Sequence, residues 1–201
     1  ISRVGASPER PGIVHRLDRG TSGVILIAKD RTTHELLSKA FKGRKIKKEY
    51  EAIVWGSTPV KGRFESTIGR DLRDRRKMSS HTKDGRLAIT DFQTLKATGA
   101  FSHVALFPYT GRTHQLRVHL TENKHPIVGD TLYGPSRPPN FEKLSPLFQA
   151  ALDGLSDTLL HARRLQFVHP VTGEALCIEA PHPPLFEKFL DFLRNFDKAA
   201  K

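Results

Sequence analysis

The sequence has almost no cysteine and lacks the long apolar runs that mark membrane-spanning proteins. Cys177 is its one cysteine, so no intrachain disulfide can form, which fits a reducing compartment such as the cytoplasm. No apolar run approaches the roughly 18 residues of a membrane-spanning helix, and no signal-peptide pattern follows Ile1. We therefore expect a cytoplasmic protein, and one whose natural chain begins upstream, because isoleucine is not a start residue.

Negative charge is scarce relative to positive charge. Lysine and arginine together number 33, aspartate and glutamate 21, and the formal net charge is +12. A surface this basic favours polyanions, because each phosphate that it neutralises releases a counterion. The simpler alternative is a soluble basic protein without a polyanionic partner. Charge alone favours a nucleic-acid partner over that alternative.

The length suits one domain with a sizeable core, which we expect to span residues 1–201. Helices are predicted between Asp30 as N-cap and Gly43, over 113–123 with Thr113 as N-cap, and from Pro183 onward, where apolar residues recur at helical spacing. Strands are predicted over 24–28, 49–55, 90–95, 101–107, 164–168 and 175–180, the first of them buried. Residues 61–86 are expected to form hairpins or loops, and 135–146 a surface loop. Strands dominate, so the predicted class is α+β.

The densest group of chemically capable residues is His15-Arg16-Leu17-Asp18-Arg19, followed by the turn Gly20-Thr21-Ser22-Gly23. Cations on both sides favour the charged form of an aspartate, which a nucleophile requires. A turn aspartate with surface ion pairs is the ordinary alternative. The glycine-rich turn weakens that alternative, because it lets a bulky ligand approach the backbone. The motif thus predicts a functional carboxylate at Asp18.

A second motif covers residues 110–120. On a helix, His114 and Arg117 share one face, while Leu116 and Leu120 share another that we expect to face the core. An arginine held by packing can pair bidentately with a carboxylate such as Asp18. The alternative is an amphipathic helix with a solvated basic face, and this stretch alone does not separate the two.

Weaker signals concern charge, metals and nucleotides. A basic run over 39–48 leads into Tyr50, although such runs are usually solvated. Ten histidines invite a metal site, but cysteine pairs are absent and His114 and His119 are wrongly spaced for one helical face, so we expect no metal. The turn after Asp18 lacks the Gly-Lys-Ser/Thr ending of a nucleotide-binding loop.

Taken in order, these blocks resemble the RluA-type family of RNA pseudouridine synthases. The blocks are 10–18 with Thr21-Ser22-Gly23, Lys47-Lys48-Glu49-Tyr50, Arg76-Lys77-Met78, 110–120, 125–130 with Leu132-Tyr133-Gly134, Leu160-His161-Ala162 and 169–173. Each block is modest alone, but the ordered series is specific and covers about residues 10–185.

The resemblance implies a fold, an activity and a site. The family fold is a mixed, mostly antiparallel sheet with flanking helices and loops, crossed by an RNA cleft. The implied activity is isomerisation of specific uridines in ribosomal or transfer RNA, by a monomer that uses neither cofactor nor metal. Asp18 resembles the essential aspartate, Tyr50 the tyrosine that packs on the uracil and can act as a base, and Arg117 the cation that pairs with the aspartate. The expected RNA-binding residues are Arg16, which resembles the arginine that fills the gap left by the flipped nucleotide, and Lys47, Lys48, Arg76, Lys77, Arg112 and His114.

The chain departs from the family pattern at its start. Family members usually carry an upstream Lys-Pro-x-Gly segment, and many carry a small RNA-binding domain before it, but neither is in this sequence. We expect the catalytic domain to lack its N-terminal segment, which leaves the RNA target open more than the chemistry.

Two other classes of function are compatible with parts of the pattern. A non-catalytic RNA-binding module on the same scaffold would need neither the acid nor the tyrosine, so the set of Asp18, Tyr50 and Arg117 argues against it. A metal-dependent nuclease using Asp18 and Asp130 is disfavoured by the arginines around Asp18, because a divalent ion requires clustered carboxylates.

Overall fold

A mixed sheet of eight strands organises the residues that the computed structural model describes, which are 12–135, 137, 142 and 145–199, with side chains as far as residue 195. The strands are β1 (Ser22–Gly23), β2 (Lys47–Trp55), β3 (Lys61–Arg70), β4 (Met78–Ser79), β5 (Arg86–Ala97), β6 (Phe101–Pro108), β7 (Leu160–Val168) and β8 (Ala175–Glu179). Their order is β1-β7-β2-β6-β5-β3-β4, and β8 also pairs with β7. The β1–β7 pair is parallel and the other pairs are antiparallel, so the predicted α+β class with a mostly antiparallel sheet is confirmed.

Over the described residues, four helices flank the sheet: α1 (Arg31–Lys42), α2 (Gln115–Glu122), α3 (Pro146–Asp153) and α4 (Pro184–Ala199). The predicted caps of α1 are confirmed, because the Asp30 carboxylate accepts from the Thr33 amide at 2.8 Å and the Gly43 amide donates to the Lys39 carbonyl at 2.7 Å. The apolar stripe predicted for the last helix is also confirmed, with Phe186 and Phe189 buried against the sheet. No helix in the described part of the chain is long and apolar enough to cross a membrane.

The core lies on both faces of β2 and β6. Ile53 and Phe101 point to the side that α3 and α4 cover, while Val54 and Leu106 point to the side that α2 covers. Successive side chains of a strand alternate between faces, so a strand with helices on both sides reads as a continuous apolar run. Ile53 and Val54 are accordingly both fully buried. This double packing fixes β2, the strand that carries Lys48 and Tyr50.

Several predicted elements need correction. The run 24–28 is not a buried strand: β1 ends at Gly23, and Ile25 and Ile27 are 44% and 52% exposed. By contrast, the hairpin predicted within residues 61–86 is confirmed, because β3 and β4 form an antiparallel pair, and the polar residues of β3 flank the buried Phe64 and Ile68 on a half-covered face.

Helix boundaries supply two further corrections. The helix predicted over 113–123 is confirmed as α2, but its N-cap is His114 rather than Thr113. The helix α3 begins at Pro146 with Ser145 as its cap and was not predicted. The loop predicted over 135–146 falls largely outside the described residues, as do Arg10 and Pro11 of the first motif.

Candidate active site

Asp18 lies in a tight turn that is attached to the central sheet. The Thr21 amide donates to the Asp18 carbonyl at 3.0 Å, and the Thr158 hydroxyl donates to the Gly20 carbonyl at 3.0 Å. Gly20 has a positive φ of 81°, a conformation that favours glycine. The local sequence thus holds the aspartate at a fixed place beside the start of β7.

Gly23 explains why the chain can come so close to β7. A Cβ at this position would lie 2.2 Å from the Ala162 carbonyl oxygen, and its φ is 119°. Glycine is therefore required for the parallel β1–β7 pairing, which anchors the segment that carries Asp18.

A pocket brings the two main sequence motifs together. Asp18 and Arg16 form one wall, Tyr50 of β2 and Leu160 of β7 lie beside them, and the loop between β6 and α2 closes the other side. The side chain of Asp18 forms no hydrogen bond or ion pair within the part of the chain that the structure describes. Its carboxylate is thus placed in a pocket with its oxygens available to a ligand.

Tyr50 faces the negative charge of Asp18 from inside the sheet. Burial raises the pKa of Tyr50 to about 12, and the charge of Asp18 acts in the same direction. The hydroxyl therefore keeps its proton at neutral pH. In this state the side chain offers a flat ring and a hydrogen-bond donor.

Arg117 requires a correction, because it pairs with Asp130 and not with Asp18. Its Nε and Nη2 atoms each donate to one oxygen of Asp130 at 2.7 Å. Both side chains are almost fully buried, 8% and 0% exposed. Asp130 also accepts from the backbone amides of Leu132 and Tyr133. The two parallel hydrogen bonds, together with the backbone amides that fix Asp130, hold Arg117 on Asp130.

Arg117 nevertheless remains in the electrostatic surroundings of Asp18. Burial alone would lower the pKa of Arg117. The hydrogen bonds and charge of Asp130, together with the charge of Asp18, outweigh burial and raise that pKa. The pKa of His114 is lowered by burial, while the charge of Asp18 acts in the opposite direction. A positive charge thus lies near Asp18 without a direct ion pair.

Tyr133 connects these residues and was not recognised as a site residue from the sequence. Its hydroxyl lies 2.7 Å from His114 Nδ1 and accepts from the Met78 amide at 2.7 Å. The Arg117 guanidinium lies 4.9 Å from its ring centroid and Lys77 Nζ 6.0 Å from it. The block 125–134 belonged to the family pattern, but nothing in its spacing indicated this contact.

Gln115 holds the loop that closes the pocket and was also missed. Its side-chain oxygen accepts from the Thr110 hydroxyl at 2.6 Å and from the Arg112 amide at 3.0 Å. Its nitrogen donates to the Ile89 carbonyl and the Thr90 hydroxyl of β5. Because Gln115 is 4% exposed, this network fixes the loop from within the core.

The predicted RNA-binding residues divide into two groups. Arg16, Lys48 and Arg112 line the pocket. Lys48 Nζ donates to the Thr110 carbonyl at 3.0 Å, and burial followed by the charge of Arg44 lowers the pKa of Lys48 to about 8. Lys47 is exposed at the start of β2.

The second group lies around the loop between β3 and β4. The Arg76 guanidinium pairs with Asp74 at 2.8 Å, and Lys77 and His114 join the site through Tyr133. Within the described ranges no group of three or more His, Cys, Asp or Glu side chains is placed to hold a metal ion. Asp130, the second carboxylate of the nuclease alternative, is engaged by Arg117.

Known proteins resemble the chain over most of its length. Residues 2–122 match the family model described as RNA pseudouridylate synthase. An uncharacterized RNA pseudouridine synthase of Chlorobaculum parvum is 41% identical over 96% of this chain and 61% of its own length. Ribosomal large subunit pseudouridine synthase D of Neisseria meningitidis is 38% identical over 92% of this chain and 49% of its own length. The chain thus spans about half to three-fifths of these relatives.

Solved structures show the same fold. Human RNA pseudouridylate synthase domain containing 4 is 30% identical, with a TM-score of 0.71 over 90% of this chain and 75% of its own. Human RNA pseudouridylate synthase domain containing 1 is 27% identical, with a TM-score of 0.70 over 90% of this chain and 79% of its own. The similarity therefore extends through the sheet that carries the pocket.

Proposed function

The chain belongs to the RNA pseudouridylate synthase family, and on that premise we propose that it isomerises selected uridines of a structured RNA to pseudouridine. The observation that carries the proposal is the pocket in which Asp18, free of side-chain partners among the described residues, faces Tyr50. We place the protein in the cytoplasm as a monomer that needs neither metal nor cofactor.

The reaction breaks the bond between C1′ and N1 of uridine, turns the uracil and rejoins it through C5. These atoms are buried in a duplex, so the target nucleotide must leave its stack and enter the pocket. Arg16 is exposed at the pocket wall, where its guanidinium can stack in the vacated position or bind a phosphate.

Asp18 supplies the negative charge that the reaction requires. It can attack C1′, attack C6, or stabilise a positively charged sugar and begin proton removal at C2′. All three routes need an ionised, unpaired carboxylate in a pocket that shields the detached uracil from water. Asp18 lies in the pocket beside the loop that Gln115 fixes, which supports each of the three routes.

Tyr50 and Arg117 assist the reaction in different ways. The Tyr50 ring packs against the uracil and orients it. Because its hydroxyl is protonated, Tyr50 can act as a base only after it has given that proton to a neighbouring group. Arg117 acts through space on Asp18, and through Asp130 and Tyr133 on the shape of the pocket. This replaces the direct ion pair expected from the sequence.

Ribosomal RNA is the first substrate to test, with transfer RNA as the second. A relative named for the large ribosomal subunit shares 38% identity across 92% of this chain. The net charge of +12 suits either RNA.

The test is to incubate the purified protein with ribosomal and transfer RNA in two parallel reactions, one with Mg²⁺ and one with excess chelator, then label pseudouridine chemically and locate it by reverse transcription. We expect labelled sites in strands of unchanged length and mass, because isomerisation changes no atoms. Shortened strands would indicate a nuclease, and unmodified RNA that still binds would indicate a binding module. Either result would overturn the proposal.

A further inference from the structure

A second pocket lies against the first and shares six lining residues with it, among them Tyr50 and the cations Arg16, Lys48 and Arg112. Lys42 and Arg44, from the end of α1 and the turn after it, add two more cations to its lining. Among the described residues, no carboxylate lines this pocket. Five positive charges without a counter-charge make a site for an anion.

Lys48 lies near a second cation of the pocket. Burial is the main cause that lowers the pKa of Lys48 to about 8, and the positive charge of Arg44 acts in the same direction. An anion bound between them would relieve this repulsion. The fold thus holds together charges that an anionic ligand would stabilise.

Arg44 occupies a backbone conformation that favours glycine. Its φ is 58°, in the turn that ends α1, where the Arg44 amide donates to the Phe41 carbonyl and the Lys45 amide to the Ala40 carbonyl. Glycine is the usual residue at such a left-handed position, because a Cβ is strained there. Arg44 thus presents its cation to the pocket from a turn that glycine would occupy with less strain.

Flat rings accompany the charges. His15 stacks on Phe41 with ring centroids 4.5 Å apart, and its Nε2 accepts from the Leu26 amide at 2.8 Å. Burial is the main cause that lowers the pKa of His15 to about 4, so this ring is neutral. Tyr109, which is 52% exposed, adds another ring to the pocket. Rings beside cations are the combination that binds a base and its phosphate.

We propose that this second pocket binds the phosphate and base of a nucleotide that adjoins the target uridine in the same strand. The inference rests on the proposed function, since it assumes that the first pocket receives the uridine. The shared wall of Arg16, Lys48 and Arg112 places the two pockets next to each other, as two consecutive nucleotides require. The pocket would thereby contribute to the choice of the site that is modified.

The test uses Arg44→Gly, which removes the cation and also relieves the left-handed strain. Lys124→Gly is the matched control, because Lys124 is an exposed lysine at the end of α2 with a φ of 69° and lines neither pocket. The probe is a fluorescent oligouridylate, and the measurements are its dissociation constant over a series of salt concentrations and the thermal stability of each variant.

We expect Arg44→Gly to be at least as stable as the wild type and to bind oligouridylate about tenfold more weakly, through the loss of one charge-assisted contact. Its salt slope should fall by about 0.7, the value for one phosphate of a single strand. Lys124→Gly should bind within about twofold of the wild type, because its charge lies outside the pocket. Equal affinities in all three proteins, or equal losses in both variants, would overturn the proposal.

A second variant tests the base. Tyr109→Ala should weaken binding of oligouridylate but not of an abasic oligomer with the same phosphates, because only the former offers bases to stack. An equal effect on both oligomers would refute base binding. These binding measurements need no product, so they fail or succeed independently of the isomerase assay.

Discussion

The buried pair between Arg117 and Asp130 allows a quantitative test of how the site is held together. Arg117→Met removes the cation and leaves the Asp130 carboxylate, which is 0% exposed, with only its backbone donors. Breaking a buried pair costs about 3–5 kcal/mol, and because two backbone donors remain we expect about 3 kcal/mol. With a urea slope of about 2 kcal/mol/M, the unfolding midpoint should fall by about 1.5 M.

The assay is urea unfolding followed by the fluorescence of Trp55, which is the one tryptophan and is buried. The control is Arg31→Met, which breaks an exposed pair with Glu35 and should change stability by less than about 0.5 kcal/mol. A midpoint for Arg117→Met equal to that of the control would refute the buried-pair argument.

A double-mutant cycle isolates the pair itself. Asp130→Asn leaves the guanidinium buried without its counter-charge, and combining it with Arg117→Met should cost about 2 kcal/mol less than the sum of the single changes. The double variant should nevertheless turn over slowly, because Asp18 has lost the positive charge of Arg117. Additive costs, or wild-type turnover in the double variant, would contradict this reasoning.

Three further predictions concern binding and catalysis. RNA affinity should fall as the pH rises through about 8, where Lys48 loses its proton, and Lys48→Arg should remove this dependence in an anisotropy titration. Tyr50→Phe should bind RNA as well as the wild type but turn over about 10²-fold more slowly in single-turnover assays, because it loses the hydroxyl that faces Asp18; a fully active variant would leave Tyr50 with packing alone. Neutralising Lys47 with Lys48, or Arg76 with Lys77, should weaken binding of all RNAs similarly and lower the salt slope, and a dissociation constant independent of salt would contradict phosphate binding.

Local signals in the sequence predicted the features that depend on neighbouring residues. The caps of α1 at Asp30 and Gly43 follow from side-chain and backbone chemistry within one turn. The strand predicted over 24–28 was wrong, because an apolar run does not reveal which of its residues pair with another strand. Here the pairing with β7 covers Ser22 and Gly23, and Ile25 and Ile27 beyond it remain exposed.

The partners of charged side chains depended on the tertiary fold. From the sequence, Arg117 could pair with either Asp18 or Asp130. The path of the chain after α2 brings Asp130 to Arg117, and this path is a property of the tertiary fold. The roles of Gln115 and Tyr133 were hidden similarly, since their contacts reach residues 25 and 55 positions away. The ordered family pattern, by contrast, named Asp18 and Tyr50, which the structure places at one pocket.

A comparison of Asp18→Asn with the wild type on ribosomal RNA in excess chelator measures whether the Asp18 carboxylate is needed for the reaction. The substitution keeps the shape of the side chain but removes its charge and most of its nucleophilicity. We expect the variant to bind RNA at least as tightly as the wild type, because Arg16 and Arg19 lose a neighbouring anion, while chemical labelling detects no pseudouridine. Undiminished pseudouridine formation by Asp18→Asn would show that Asp18 is not the catalytic carboxylate.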